Sequence, residues 1–412
     1  MNYKHLPEEK RELVMSEMRK NFTRMLDTPE NGETELKRLY TTVRHNIIPF
    51  LDPSKSGFID FTGKLFNVLT SWISSLSSDK QNDAVLTPRY VTDAMAQMCN
   101  ITKDDYIWDY ALGTGGFLVS AMKLMLDDAE KISDLTKREE KKTLIRSEQL
   151  IGIEILPTMY IMAVLNMLLM GDGSANILHG NSMNWDGTYE QGTQKGKTFP
   201  ATVFLLNPPY SAPGNGFNFV EKALSRMERG GRAAILIKEN AGSGNGLPYT
   251  KRILENNTLK ASIHMADIFS GKAGVQTAIY LFDAGVAHNS ENEVIFIDMS
   301  EDGYTRQNRK KASAETNLRD TDHAHERYKE IVDIVLGRKK KTDFYHEGEQ
   351  VFRDCISLEG NDWTVQQHKI YDTTPTEEDF RTTVSDYLAW KVGAILRGEM
   401  TVGETHIQGS EA

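Results

Sequence analysis

The sequence predicts an α/β fold: a sheet carrying helices on both faces, with helical extensions at its N-terminal and C-terminal ends. Three observations predict it. From about residue 85 to residue 298, short β-branched or aromatic runs alternate with helix-length apolar periodicities. Each strand-to-helix junction comes at the carboxyl end of a strand, the edge where open α/β sheets place their ligands. The chain has 412 residues, 39% hydrophobic and 26% charged, an ordinary globular mix able to bury a real core.

The elements follow in order. Leu13, Met15, Met18, Phe22 and Met25 recur at helical spacing, and Leu65, Phe66, Val68, Leu69, Trp72, Ile73 and Leu76 repeat the pattern. A turn cluster at 52–57 separates them, and the polar run 77–83 closes a helical N-terminal domain over 1–83. The central domain, 84–300, carries candidate strands at 106–110, 150–154, 175–178, 201–206, 232–238, 260–265, 276–282 and 293–297. Its candidate helices are 115–127, 157–170, 217–228 and 248–256. Past residue 300 the composition shifts, with basic runs at Arg306, Arg309, Lys310 and Lys311 and then at Arg338 to Lys341, and the chain reads as a mostly helical, solvated region over 301–412.

Charge and cysteine usage exclude whole classes. With 58 acidic against 48 basic side chains and a net charge of −10, the chain is not a self-sufficient nucleic-acid binder of the basic-patch kind. It can still meet DNA through a local basic region or a partner that supplies phosphate contacts. Two cysteines, Cys99 and Cys355, encode neither a disulfide framework nor a zinc site. No metal is expected. The longest apolar stretch, 155–170, is shorter than the roughly 20 residues of a membrane span, so the expectation is a cytoplasmic protein in a reducing compartment.

Two constellations carry chemistry. In the first, Asp109 precedes Gly113-Thr114-Gly115-Gly116-Phe117, which follows an apolar run and opens an apolar helix. Glycines there allow a tight turn and close backbone approach by a ligand, or simply cap the helix. Glu154 ends the next strand, where a carboxylate can accept hydrogen bonds from both hydroxyls of a ribose or stand as a solvated acid. Turn and acid together favour a nucleoside ligand.

The second constellation is Asn207-Pro208-Pro209-Tyr210, directly after the apolar strand ending at Leu206. The prolines fix φ and lack N–H groups, which leaves their carbonyls as pure acceptors. The Asn207 side-chain oxygen and the Pro208 carbonyl can each accept one hydrogen from an exocyclic amine, steering its lone pair towards an electrophilic methyl, while Tyr210 stacks on the attached ring. The alternative is a plain strand-terminating turn.

Over 85–298 and its flanks the chain resembles the modification subunit of type I restriction-modification systems, an AdoMet-dependent N(6)-adenine DNA methyltransferase. The motifs that carry the resemblance are Leu86-Thr87-Pro88-Arg89, Gly113 to Phe117, Glu154 followed by Pro157-Thr158, and Asn207 to Tyr210, in the family's order. It implies a Rossmann-like AdoMet-dependent methyltransferase sheet. It further implies that Leu86, Thr87, Pro88 and Arg89 lie over the methionine end of S-adenosyl-L-methionine, that Asp109 and the glycine turn hold its backbone and carboxylate region, and that Glu154 takes the ribose. Asn181 and Ser182 fall where the family contacts the cofactor adenine. Asn181, Tyr110 and Leu112 depart from the family's usual residues. Phe269 matches an aromatic that walls the target-base pocket, and 238–246 matches a cover over it. The resemblance implies that transfer is direct, without a covalent enzyme intermediate, to adenine flipped from double-stranded DNA. The partners it implies are a separate specificity subunit, docked on the helical extensions, and a nuclease-translocase subunit for restriction. Two other functions use the same residues: methylation of a protein glutamine or an RNA amine, and an inactive AdoMet-binding scaffold of a defence complex.

Overall fold

The computed structural model describes residues 11–12, 15–16, 34–46, 87–169, 176–269, 275–306, 318–339, 341–369 and 376–399. The chain forms two compact units, Met1–Lys369 and Ile370–Ala412. In the N-terminal region α1 (Glu35–Asn46) is a helix. The pattern at 65–76, the turn at 52–57 and most of the pattern at 13–25 lie outside the described residues.

The first unit continues with α2 (Arg89–Met98), β1 (Ile107–Asp109), α3 (Gly116–Ala129), α4 (Leu135–Glu148), β2 (Leu150–Glu154), α5 (Pro157–Leu169) and β3 (Ile177–His179). Next come β4 (Val203–Leu206), α6 (Phe217–Leu224), β5 (Arg232–Lys238), α7 (Leu247–Asn256), β6 (Thr258–Met265), β7 (Thr277–Asp283) and β8 (Glu293–Met299). All eight expected strands and all four expected helices of the central domain form. Among the described residues nine strands make one sheet, ordered β11-β8-β6-β7-β5-β4-β1-β2-β3, in which β11 is Val351–Cys355. Strands β3, β2, β1, β4 and β5 run parallel, β7 is antiparallel to β5 and β6, and β8 runs parallel to β6. The carboxyl ends of seven strands therefore share one edge.

Strand periodicity feeds two cores. Ile107, Val203, Leu205, Ala234 and Leu236 face one layer, packed with Met95 of α2, Leu118 and Met122 of α3 and Val164 of α5. Their neighbours Trp108, Phe204, Leu206, Ile235 and Ile237 face the other, with Phe217 and Val220 of α6 and Ile253 of α7. This alternation at period two is what a sheet covered on both faces requires. Phe204 is wholly buried, with its ring edge-on to Trp108 and Tyr110, so its truncation to Ala costs about 3–5 kcal/mol.

Two helices of the central domain are not among those expected: α2, although Val91, Ala94, Met95 and Met98 recur at helical spacing and are buried, and α4, which lacks a strong apolar signal. Helix α4 buries only Ile145, and its start is fixed by Asp134, which accepts from the Thr136 and Lys137 N–H groups. Past residue 300 the expectation of a mostly helical region is corrected in part. The short strands β9 (Tyr304–Arg306) and β10 (Leu318–Asp320) pair, α8 (Ala324–Val335) packs against α2, and β11 joins the main sheet antiparallel to β8. Only the first two residues of β11, Val351 and Phe352, are buried, so this edge strand has no full apolar alternation to announce it. A short helix, α9 (Val365–His368), follows. The second unit contains α10 (Glu377–Leu396), started by a reciprocal Thr376–Asp379 capping box. Phe380, Val384, Tyr387, Leu388 and Trp390 of α10 are exposed.

Candidate functional site

The shared sheet edge collects the site. Asp109 ends β1, Glu154 ends β2, His179 ends β3 and Asn207 follows β4, so four adjacent parallel strands deliver polar groups side by side. The turn after β1 hangs on β2 through the Leu112 N–H, which donates to the Ile153 carbonyl at 3.1 Å, and closes when the Gly115 N–H donates to the Leu112 carbonyl at 2.8 Å. Gly113 and Gly115 both take positive φ, +55° and +80°, where a side chain would be strained. A Cβ on Gly152 would stand 2.6 Å from Leu112 Cδ1 and 2.9 Å from Leu118 Cδ1, so the bare backbone of β2 is what lets this turn settle on the sheet.

Glu154 is buried and satisfied by the backbone. The Gly113 N–H donates to its Oε2 and the Leu156 N–H to its Oε1, both at 2.8 Å. Burial pushes its carboxyl above the usual range, against the pull of those N–H groups. Asp109 is less well served: Oδ1 accepts from the Ala111 N–H at 3.0 Å, while Oδ2 is buried with no hydrogen-bond partner among the described residues. Burial, reinforced by the neighbouring Glu154 charge, pushes Asp109 up to about 8. Beside these acids the turn is open, since a Cβ on Gly113 would meet nothing nearer than the Ala111 carbonyl oxygen at 4.0 Å. Thr114 is anchored by Asn166 of α5, whose Nδ2 donates to its carbonyl at 3.1 Å. Gly116 lies against Thr92 of α2, and the Phe117 ring is in the core.

Asn181 uses its side-chain oxygen locally, accepting from the Met183 N–H at 2.9 Å to start a short 3-10 turn over Ser182–Asn184. Ser182 is buried, and its carbonyl accepts from Lys222 Nζ at 3.3 Å; the Met183 carbonyl accepts from the same ammonium group. Neither Lys222 nor Asn166 is marked by any sequence spacing. Tyr110, a departure from the family's usual residue, lies beneath the turn among Trp108, Trp185 and Phe204.

The Asn207 to Tyr210 hook stands where the sequence puts it. Pro208 packs on Gly216, where a Cβ would fall 2.9 Å from Pro208 Cγ, and the Pro209 carbonyl accepts from the Ala212 N–H at 3.1 Å. Neither Asn207 Oδ1 nor the Pro208 carbonyl accepts a hydrogen bond among the described residues. Tyr210 is half-buried, its hydroxyl has no partner among the described residues, and Lys238 Nζ lies 5.8 Å from its ring centroid. The hook also touches the segment before α2: Asn207 Nδ2 donates to Thr87 Oγ1 at 3.0 Å.

Thr87 with Asn207, and Gly113 with Glu154, are thus brought together in direct contact. Other expected residues stand apart. Arg89 pairs with Asp93 of its own helix at 2.9 Å, Pro88 caps that helix, and Leu86 lies outside the described residues. Phe269 follows β6 at the same edge, but its ring is buried in the core beside Ile268. The 238–246 segment is tied down: Tyr280 Oη donates to the Glu239 carbonyl at 2.8 Å and Asn215 Nδ2 to the Ala241 carbonyl at 3.1 Å. An unforeseen pair, His264 and Glu239, bonds there at 2.7 Å. Burial opposes the charging of His264, yet the Glu239 carboxylate carries it above the ordinary imidazole value. Among the described residues no group of three His, Cys, Asp or Glu side chains is placed to hold a metal ion.

The glycine turn, the strand-end acid and the Asn-Pro-Pro-Tyr hook thus stand together on one sheet edge. The chain belongs to the N-6 DNA Methylase family, which it matches over residues 59–217 and 214–369. It is 28% identical over 327 residues to the Type II restriction enzyme and methyltransferase RM.BcgI of Heyndrickxia coagulans, covering 76% of this chain and 47% of that protein. It is 23% identical over 224 residues to the Type I restriction enzyme EcoKI methylase subunit of Escherichia coli K12, covering 50% of this chain and 41% of that one. The chain thus spans about half the length of the curated relatives it matches. A type I restriction-modification system methyltransferase subunit from Streptococcus thermophilus has a similar fold, with a TM-score of 0.55 at 17% identity over 88% of this chain and 75% of that one.

Proposed function

We propose that this chain transfers a methyl group from S-adenosyl-L-methionine to the N(6) amine of adenine in DNA, as the modification component of a type I restriction-modification complex. One observation carries the reading: in a chain of the N-6 DNA Methylase family, Asn207 Oδ1 and the Pro208 carbonyl stand at the sheet edge with no donor among the described residues. The cofactor fits the residues beside them. The open face at Gly113 leaves room for a ligand, Asp109 Oδ2 waits for a partner, and Glu154 offers a carboxylate already oriented by two N–H groups. Thr87, Pro88, Arg89, Asp109, the Gly113 to Phe117 turn, Glu154, Asn181 and Ser182 would hold it, with Leu86 joining on the resemblance alone.

When bound, S-adenosyl-L-methionine supplies a methyl group that is already activated. The chain then has only to align the amine and drain its proton. Asn207 and Pro208 each accept one amine hydrogen, which leaves the nitrogen lone pair free as nucleophile. Partial positive charge grows on that nitrogen during transfer, and the two oxygens aimed at its hydrogens stabilise it. Pro209 stiffens the hook, and Tyr210 stacks on the flipped base. The base contact is assigned to Tyr210 and not to the core-packed Phe269.

Sequence reading belongs to a separate specificity subunit, in keeping with a net charge of −10. The extensions 1–83 and 301–412 dock it, a role the exposed apolar side chains of α10 suit. A nuclease-translocase subunit joins for restriction. A cytoplasmic setting goes with this reading; among the described residues no helix is long and apolar enough to cross a membrane. The test is labelled methyl transfer to mixed-sequence DNA, with the chain alone and with the specificity protein encoded beside it. Transfer to adenine in the paired sample supports the proposal. Transfer only to a protein or RNA amine, or cofactor binding without turnover in the full assembly, overturns it.

A further inference from the structure

Just beyond the hook, Gly214, Asn215 and Gly216 take positive φ in succession, +64°, +56° and +101°. For a residue with a side chain that conformation is strained, and asparagine tolerates it better than most. Strain of this kind persists only where the surroundings hold it. Here they do. A Cβ on Gly214 would run into the Tyr249 ring of α7, and one on Gly216 would fall 2.9 Å from Pro208 Cγ and 3.3 Å from the Pro209 carbonyl oxygen. The left-handed turn is therefore the floor on which the two prolines of the hook rest.

A second Gly-Asn-Gly, 244–246, opens α7 as the first opens α6. A Cβ on Gly246 would collide with the Ala241 carbonyl oxygen and stand 3.5 Å from that of Gly214, so the two turns meet backbone to backbone. One side chain bonds across the meeting point: Asn215 Nδ2 donates to the Ala241 carbonyl at 3.1 Å. Among the described residues no other hydrogen bond joins 207–217 to 238–249. Its direction is fixed by chemistry, because a carbonyl oxygen only accepts, and the NH2 end of the amide must face it. The Ala241 side is the anchored one: Ala241 is buried, the Tyr280 hydroxyl donates to the Glu239 carbonyl at 2.8 Å, and the Glu239 N–H donates to the Gln276 carbonyl at 3.1 Å. What the bond places is the floor of the hook.

We propose that Asn215 is a positioning residue for methyl transfer: its bond to the Ala241 carbonyl holds the left-handed turn behind Pro208 and so sets the Pro208 carbonyl that accepts the amine hydrogen. The consequence for transfer rests on the function proposed above; the tie between the two turns does not. Two variants remove the donor without forbidding the backbone. Asn215→Asp keeps the shape and the tolerance of positive φ but offers the carbonyl no hydrogen, and Asn215→Gly removes the side chain at a φ that suits glycine. Without the bond the aligned turn loses about tenfold in population, the equivalent of one ordinary hydrogen bond, and the single-turnover rate of methyl transfer falls by about that factor. Affinity for S-adenosylhomocysteine stays within about twofold, since the turn acts on the hook and not on the cofactor residues.

The experiment joins kinetics to a readout independent of turnover. Hydrogen exchange of the full chain is followed by mass spectrometry in peptides covering 207–217 and 238–249, and single-turnover transfer to DNA is measured with the specificity protein present. Faster exchange in the 207–217 peptide of both variants, together with the fall in rate and an unchanged affinity for S-adenosylhomocysteine, supports the proposal. Three results overturn it: exchange unchanged in both variants; a rate within about twofold of wild type in Asn215→Gly, which would trace any loss in Asn215→Asp to its charge; or an affinity for S-adenosylhomocysteine that falls in step with the rate, which would show a general loosening. If exchange responds as expected but the wild type with its specificity protein methylates no DNA, the tie between the turns stands, and the methyltransferase reading falls and takes the positioning role with it.

Discussion

Asp109 makes stability depend on pH in an unusual sense. Its carboxyl is wholly buried, one oxygen has no partner among the described residues, and its value is pushed up to about 8 by burial first and by the Glu154 charge after it. In the unfolded chain the same group releases its proton near pH 4. Between those values the native state holds a proton that the unfolded state has lost, so stability falls as pH rises, and flattens once Asp109 ionises in the folded protein. Each pH unit of that window costs about 1.4 kcal/mol, which makes the loss from this carboxyl alone roughly 4 kcal/mol between pH 5 and pH 8. Asp109→Asn removes it. The amide oxygen can still accept from the Ala111 N–H, and its NH2 occupies the place of the carboxyl O–H, so the variant differs little from the wild type at pH 5. Urea unfolding of both proteins at pH 5, 6.5, 8 and 9 measures the difference directly. The variant becomes progressively the more stable of the two up to about pH 8, by an amount on the order of several kcal/mol. A variant that is destabilised equally at every pH would refute the reasoning, because it would show Asp109 already ionised at the lowest pH.

Three further outcomes are expected. Asn207→Ala abolishes methyl transfer while leaving S-adenosyl-L-methionine binding nearly intact by calorimetry, since the proposed role of Asn207 is towards the amine and not the cofactor; retained methylation sinks the assignment. Gly152→Ala, whose Cβ would fall 2.6 Å from Leu112 and 2.9 Å from Leu118, costs about 1–3 kcal/mol in urea unfolding and weakens cofactor binding by displacing the turn; an unchanged affinity separates the turn from the site. His264 is held above the ordinary imidazole value by Glu239, with Asp298 and Lys369 also acting on it, so its contribution is full below the unfolded value and is lost as pH rises through the folded one. His264→Gln is therefore more destabilising at pH 5.5 than at pH 9, by about 1 kcal/mol, and equal losses at the two pH values would show the pair to be uncharged.

How much of this was legible depended on whether a signal is local. The central strands announce themselves by their apolar content, most plainly at 203–206, Val-Phe-Leu-Leu, buried at every position. The hook after it is legible for the same reason, two prolines and a tyrosine being out of place beside such a strand. Strand β11 is the opposite case, since an edge strand buries only part of one face and Arg353, Asp354 and Cys355 look like loop. Helix α4 is solvated along most of its length and shows little but its Asp134 cap. The single residues that finish the site were the least legible. Asn166 reaches Thr114 across 52 positions and Lys222 reaches Ser182 across 40, and no spacing rule connects residues that only the tertiary fold makes neighbours.

That distinction bears on how the edge works as a unit. The glycine turn could have rested on the sheet through apolar contact alone, but it also sends the Gly113 N–H into Glu154, so the proposed ribose ligand and the turn are oriented together. The hook could likewise have stood alone on β4, yet it is bonded to the segment that opens α2. Each half of the site thus borrows its alignment from a different part of the chain. Asp109 lies on the strand between them, uncomfortably buried in the folded protein, and its cost is one that a ligand pairing with Oδ2 would relieve. An asparagine or an apolar side chain would avoid that cost, so on the function proposed above the carboxyl is kept for what binds beside it.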